Sequence, residues 1–234
     1  MFLFYCNQSY RDAEEWLLTC DEICAALELK TVPDHSTLCR MFHHRSLGIV
    51  QKLFRRLTAM LTPCEGLIAG DSTGYRLSNA SIYFLTRSGR KFRDWFCGAY
   101  AVGTDSQLIL VARSAHGGSL NDTRFLNPLR NEARRYGDEN WMFLADKGFD
   151  CRRIRERDLS PPIRRAGRLS GAKQRARIDL MDQARLDGVY GQRWKVETVH
   201  SVIKRKFGDT IRSRTLARQR CEPIFKAVLY NLHR

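Results

Sequence analysis

"WFCGAYAVGTDSQLILVA", residues 95 to 112, holds two apolar runs, "WFCGAYAV" and "QLILVA", on either side of the small polar group "GTDS". Turn-forming residues between two short apolar segments predict a β-hairpin. Upstream, "GLIAG" is a third apolar run that closes on Asp71. Downstream, "NDTRFLNPLRNEARRYG" has helical spacing, with Asn121 or Asp122 as its N-cap and Gly137 as its stop. A fourth strand, "NWMFLAD", then ends on Asp146. Three antiparallel strands followed by a crossover helix and a parallel strand predict an α/β fold with a mixed sheet flanked by helices.

On the N-terminal side, the patterns are helical. "SYRDAEEWLLTC" starts from Ser9, "DEICAALEL" from Asp21, and "VPDHSTLCRMFHHR" from Asp34 or Ser36. "LGIVQKLFRRLTAML" sets Leu47, Val50, Phe54, Leu57 and Leu61 along one side. The division expected is a small all-helical region over residues 1–60 and an α/β domain over 61–234. The short helix, turn and His- and Arg-rich second helix of the first region are open to two readings, a DNA-binding helix-turn-helix or a packing and dimerisation unit.

On the C-terminal side, "YGQRWKVETVHSVIK", residues 190 to 204, reads as one helix. Val196, Val199, Ile203 and Phe207 form its core face. Tyr190, Arg193, Glu197 and Lys204 form a polar stripe on an arc of roughly 60°, expected to face away from that core.

Lys and Arg number 40 against 25 Asp and Glu, a formal charge of +15, with the excess after residue 150. That favours a polyanionic partner. The stretch 151–189 reads as a basic, loop-rich segment that includes Arg164, Arg165, Arg168 and Lys173. No apolar run approaches the roughly 20 residues of a membrane span. "MFLFYC" lacks a basic lead-in and reads as the last turn of a core helix, not a signal peptide. Eight scattered cysteines suit a reducing cytosol, so a cytoplasmic, nucleoid-associated protein is expected. Cys20, Cys24, Cys39 and His43 have a spacing that offers zinc two ligands from each of two helices, although cysteine on such helices more often fills core.

Asp71 and Asp146 both close apolar runs, and Glu197 lies on a helix. Three carboxylates so distributed suit two divalent cations held by hard oxygen ligands, the arrangement that drives in-line displacement at phosphorus. Tyr190, Arg193 and Lys204 supply a phenol and two cations suited to gripping neighbouring phosphates. His116 and Asp122 are lesser cleft candidates, with Asp122 read mainly as an N-cap. Asp150 is read as capping a following helix, and Ser72 and Thr73 as satisfying backbone groups of a turn. There is no glycine-rich phosphate loop, so no nucleotide cofactor is expected.

"YGQRWKVETVHSVIK" also resembles the Y-(2)-R-(3)-E-(6)-K signature of DDE transposases of the insertion-sequence four and five superfamily. "IAGDSTG" and "FLADKGFD" are similar to that family's blocks around its first two acidic residues. "SYRDAEEWL", "VPDHSTLCRMF" and the closing "KAVLYNLHR" resemble its leading and trailing segments. Lys147 and Phe149 stand where Gly or Arg, and Tyr, are commoner. The resemblance implies a ribonuclease-H-like catalytic domain, with Asp71, Asp146 and Glu197 as the metal-binding triad and Tyr190, Arg193 and Lys204 contacting the element's end. It implies two Mg²⁺ ions, with Mn²⁺ able to substitute, double-stranded DNA as both element end and target, and a homodimer on paired ends. A catalytically silent, truncated or host-recruited DNA-binding regulator and a structure-selective nuclease are the rival readings.

Overall fold

A computed structural model describes residues 5–6, 8–44, 46–61, 63–77, 87, 95–117, 121–151, 153–154, 158–163 and 172–234, with the His43 side chain left aside. Helices α1 (Tyr10–Thr19), α2 (Asp21–Ala26), α3 (His35–His44) and α4 (Leu47–Met60) come first. Ser9 and Asp12 close a reciprocal capping box at α1. Asp34 accepts the Thr37 amide at 2.6 Å and so starts α3. At α2 the cap position belongs to Cys20, and Asp21 is the first helical residue.

The sheet follows: β1 (Glu65–Leu77), β2 (Trp95–Gly103), β3 (Ile109–His116), helix α5 (Thr123–Ala133), β4 (Gly137–Ala145) and the short β5 (Asp158–Leu159). Then come α6 (Ala172–Leu186), α7 (Trp194–Phe207), β6 (Thr210–Ile211) and α8 (Leu216–His233). Strand order is β3-β2-β1-β4-β5, with β6 paired to the far end of β1. The β1/β2 and β2/β3 pairs are antiparallel, and β1/β4 and β4/β5 are parallel. This is the expected mixed sheet flanked by helices with a helical N-terminal region, and it is consistent with a ribonuclease-H-like fold.

Alternation along the strands divides the core in two. Ala69, Tyr75, Phe96, Tyr100 and Leu144 face α4, α7 and α8, meeting Val50, Phe54, Val196, Val199, Ile203, Ile224 and Val228. Ile68, Ala99, Ala101, Val111 and Phe143 face α5, meeting Phe125, Leu126 and Leu129. Helix α8 is buried from Cys221 to Asn231. Its Asn231 side chain accepts the Ile109 amide at 2.9 Å and donates to the Ile109 carbonyl at 2.8 Å, which fixes the helix end to β3.

Several expectations change. β1 does not end at Asp71: it runs on to Leu77, because β2 pairs with it as far as Arg76 opposite Trp95. Ser72 and Thr73 are therefore strand residues. Residues 172–186 of the supposed loop form a helix, in keeping with their Ala, Lys, Gln, Arg and Leu content. Residues 190–193 form a 3₁₀ turn, and α7 begins only at Trp194. Gly188, at φ 72°, and Gly191 interrupt the chain just before it. Leu61 is exposed at the end of the α4 stripe. Cys24 donates to the Leu17 carbonyl at 3.1 Å, and no metal-holding group of three side chains gathers among the described residues. Residues 1–4 of the "MFLFYC" stretch, and Arg164, Arg165 and Arg168, lie outside the described residues.

Candidate active site

The parallel register builds the site's first half. Gly70 of β1 lies opposite Ala145 of β4, so the next residue on each chain is an aspartate, Asp71 and Asp146. Neighbouring strands sit about 4.8 Å apart. Continuing the alternation of Ala69 and Leu144 turns both residues toward the α7 side of the sheet. β4 stops there, whereas β1 continues. Asp71 thus lies where β1 loses β4 as a neighbour and stays paired with β2.

Helix α7 supplies the second half. Arg193, just ahead of it, lies with Nη1 3.9 Å from the Asp71 carboxylate, and its Nη2 donates to Glu197. Asp71 also accepts the Ser72 amide at 2.8 Å. Burial pushes the Asp71 carboxyl up to about 6; the Ser72 amide and Arg193 restrain the rise, and the Asp146 and Asp122 carboxylates add to it. Burial also works against the Arg193 charge, but Glu197, Tyr190 and Asp71 more than offset it, so its pKa lies above the ordinary value. A carboxyl raised by burial, with a second carboxylate on the adjoining strand end, is suited to a divalent cation, which favours the ionised form.

The model of the family described as "Transposase DDE domain" matches residues 62–232, well over half of the chain. The chain belongs to the DDE transposase family. Searches of curated proteins and of solved structures each gave no match.

DDE transposases act on DNA and generally use divalent metal ions, and the oxygen donors of Asp71 and Asp146 fit such an ion. Glu197 is not gathered with them in this transposase: its side chain is 55% exposed and its carboxylate is turned to Arg193. Tyr190 is half-buried, and its hydroxyl donates to the Ala145 carbonyl at 3.2 Å, joining the lead-in of α7 to the end of β4. Lys204 Nζ lies 5.9 Å from the centre of the Tyr75 ring. The polar stripe is therefore divided: Glu197 faces away from the core as expected, whereas Tyr190 packs against the core at the end of β4. Lys173 is exposed on α6, beside a groove that Arg134, Trp141 and Arg177 also line.

Two residues at the site were missed or misassigned from sequence. His200, one turn beyond Glu197, is buried with Nδ1 3.8 Å from Asp71, and its ring meets Tyr100 edge-on. Burial, with Lys204 and Arg193 nearby, lowers its pKa to about 3, so it is neutral. Its position seven residues after Arg193 and four before Lys204 was the available signal, because it falls in the middle of the stripe. Asp122 does not cap α5 with its side chain; Asn121 accepts the Thr123 amide at 3.2 Å, and the Asp122 carboxylate accepts the Ser72 hydroxyl at 2.5 Å. Asp150 closes the 3₁₀ turn Lys147–Phe149, and its carboxylate accepts the Ile163 amide and pairs with Arg177, both at 2.7 Å. His116 lies on β3, its ring edge-on to Phe96, two strands from Asp71.

Proposed function

We propose that this chain is a transposase of the insertion-sequence four and five superfamily. It binds its element's terminal repeats, cuts the ends by metal-dependent phosphodiester hydrolysis and joins them to target DNA, with Asp71, Asp146 and Glu197 as its acidic triad. The observation that carries this reading is the β1/β4 register, which makes Asp71 and Asp146 neighbours on the side of the sheet where α7 packs, with Arg193 between Asp71 and Glu197. Two Mg²⁺ ions, or Mn²⁺ in their place, would activate the attacking water or hydroxyl and stabilise the leaving oxygen. Asp71 and Asp146 supply oxygen donors from the sheet. Glu197, on the first turn of α7, completes the set by turning from Arg193. Arg193 and Lys204 then hold phosphates beside the scissile one, with Tyr190 bracing the strand end against the same strand of DNA. Lys173, with Arg164, Arg165 and Arg168, extends the basic track along the duplex, the helical region 1–60 adds a helix-turn-helix contact, and two copies act on paired ends.

A second reading, a DNA-binding regulator without catalysis, draws on the Glu197–Arg193 pair, which leaves the third carboxylate away from the two aspartates. One assay separates them. Purified protein is incubated with a plasmid carrying the gene and several hundred flanking base pairs, in Mg²⁺ or EDTA, beside Asp71→Asn, Asp146→Asn and Glu197→Gln. Breaks at the element's ends that need Mg²⁺ and vanish in all three variants support transposition. Cutting that survives in the variants removes the triad assignment, and binding without breaks in Mg²⁺ or Mn²⁺ supports the regulator.

A further inference from the structure

The two aspartates are carried by separate strands, and on the far side of the sheet one carboxylate reaches the segments that follow both of them. Ser72 follows Asp71 on β1 and so faces the opposite side, toward α5. There its hydroxyl donates to Asp122 Oδ1 at 2.5 Å. Asp122 Oδ2, in turn, lies against Gly148, in the 3₁₀ turn Lys147–Phe149 that directly follows Asp146; a Cβ on Gly148 would come within 2.9 Å of it. Gly148 is not in a left-handed conformation, so it is the Asp122 carboxylate, held by Ser72, that leaves no room for a side chain. One carboxylate thus touches the residue after Asp71 and the residue two after Asp146.

We propose that Asp122 is a positioning residue: by accepting the Ser72 hydroxyl and filling the space beside Gly148, it sets the separation of Asp71 and Asp146 from the back of the sheet. The inference rests on the reading of those two aspartates as cation ligands. Partners that orient ligands from behind a metal site typically contribute 10- to 100-fold to its affinity.

The test is Mn²⁺ binding followed by electron paramagnetic resonance on the full chain. Ser72→Ala and Gly148→Ala each weaken binding about tenfold, and Ser72→Ala combined with Asp122→Ala is no worse than Asp122→Ala alone, because the Ser72 hydroxyl then has no carboxylate left to hold. Asp122→Asn, whose amide oxygen still accepts from Ser72, stays near the parent. DNA binding in EDTA and the thermal midpoint hold steady for Ser72→Ala, so the loss is not one of folding. If Asp122→Ala does not fold, Ser72→Ala and Gly148→Ala decide the matter alone. Mn²⁺ affinity unchanged in those two while Asp71→Asn reduces it overturns the positioning role. Affinity unchanged in Asp71→Asn as well overturns the ligand assignment beneath it.

Discussion

The Arg193 guanidinium spans two carboxylates, lying 3.9 Å from Asp71 and donating directly to Glu197. An arginine so placed competes with a cation for the same oxygens, and a DNA phosphate competes with those oxygens for the arginine. By linkage, DNA and metal should each strengthen the other's binding. Arg193→Gln is expected to tighten Mn²⁺ binding in the absence of DNA by roughly fivefold and to abolish the further gain that DNA gives the parent. Calorimetric Mn²⁺ titrations with and without a short duplex measure both effects. Equal Mn²⁺ affinity in parent and variant would remove the competition.

Asp71 carries a stability cost that depends on pH. Its carboxyl is raised to about 6 from an ordinary 3.8, so the folded chain holds a proton that the unfolded chain has released between those values. Stability therefore falls as pH rises from about 4 to about 6, and the cost is fully present above that. Asp71→Asn keeps an acceptor for the Ser72 amide and loses the charge. It should be more stable than the parent at pH 8, by at most about 3 kcal/mol, with the difference fading below pH 4. Urea denaturation at both pH values checks this; a variant less stable at pH 8 contradicts it.

How much of this was legible in the sequence depends on whether the signal was local. The hairpin "GTDS", the crossover helix and the core face Val196, Val199, Ile203 and Phe207 follow from periodicity, and all four of those side chains are buried. The length of β1 was not legible, because Asp71 to Gly74 have turn-like chemistry and stay in the strand only through pairing with β2. Asp122 illustrates the same limit. Its sequence neighbourhood is that of an N-cap, but its partner is Ser72, which no local pattern connects to it. The Gly70–Ala145 register is likewise a tertiary fact. Two strand-closing aspartates suggest a cleft, but only the parallel pairing places them together.

Behind α5 lies a buried ion pair that the mechanism does not use. Arg130 donates to Asp158, to the Arg153 carbonyl at 2.9 Å and to Asn127 at 2.8 Å, while the Arg130 and Asp158 side chains are 4% and 2% exposed. The pair joins α5 to β5, at the edge of the sheet beyond β4. Removing one partner strands a buried charge, which typically costs about 3–5 kcal/mol. Asp158→Ala should lose that much in chemical denaturation, and a loss below about 1 kcal/mol would show that water reaches Arg130.

The +15 charge makes the last expectation quantitative. Each phosphate neutralised by Lys or Arg releases counterions, giving a slope of about −0.9 per contact in log affinity against log salt on B-form DNA. If Arg164, Arg165, Arg168 and Lys173 each meet a phosphate, replacing all four with Ala should flatten the slope by about 3.6. The affinity lost at low salt should be the same for terminal-repeat and unrelated duplexes, because phosphate contacts carry no base information. Arg193→Gln should flatten the slope by only about 0.9, while removing cleavage. Fluorescence anisotropy over a salt series in EDTA gives these slopes. An unchanged slope in the fourfold variant would take the basic segment out of the DNA track and leave binding to Arg193, Lys204 and the N-terminal helices.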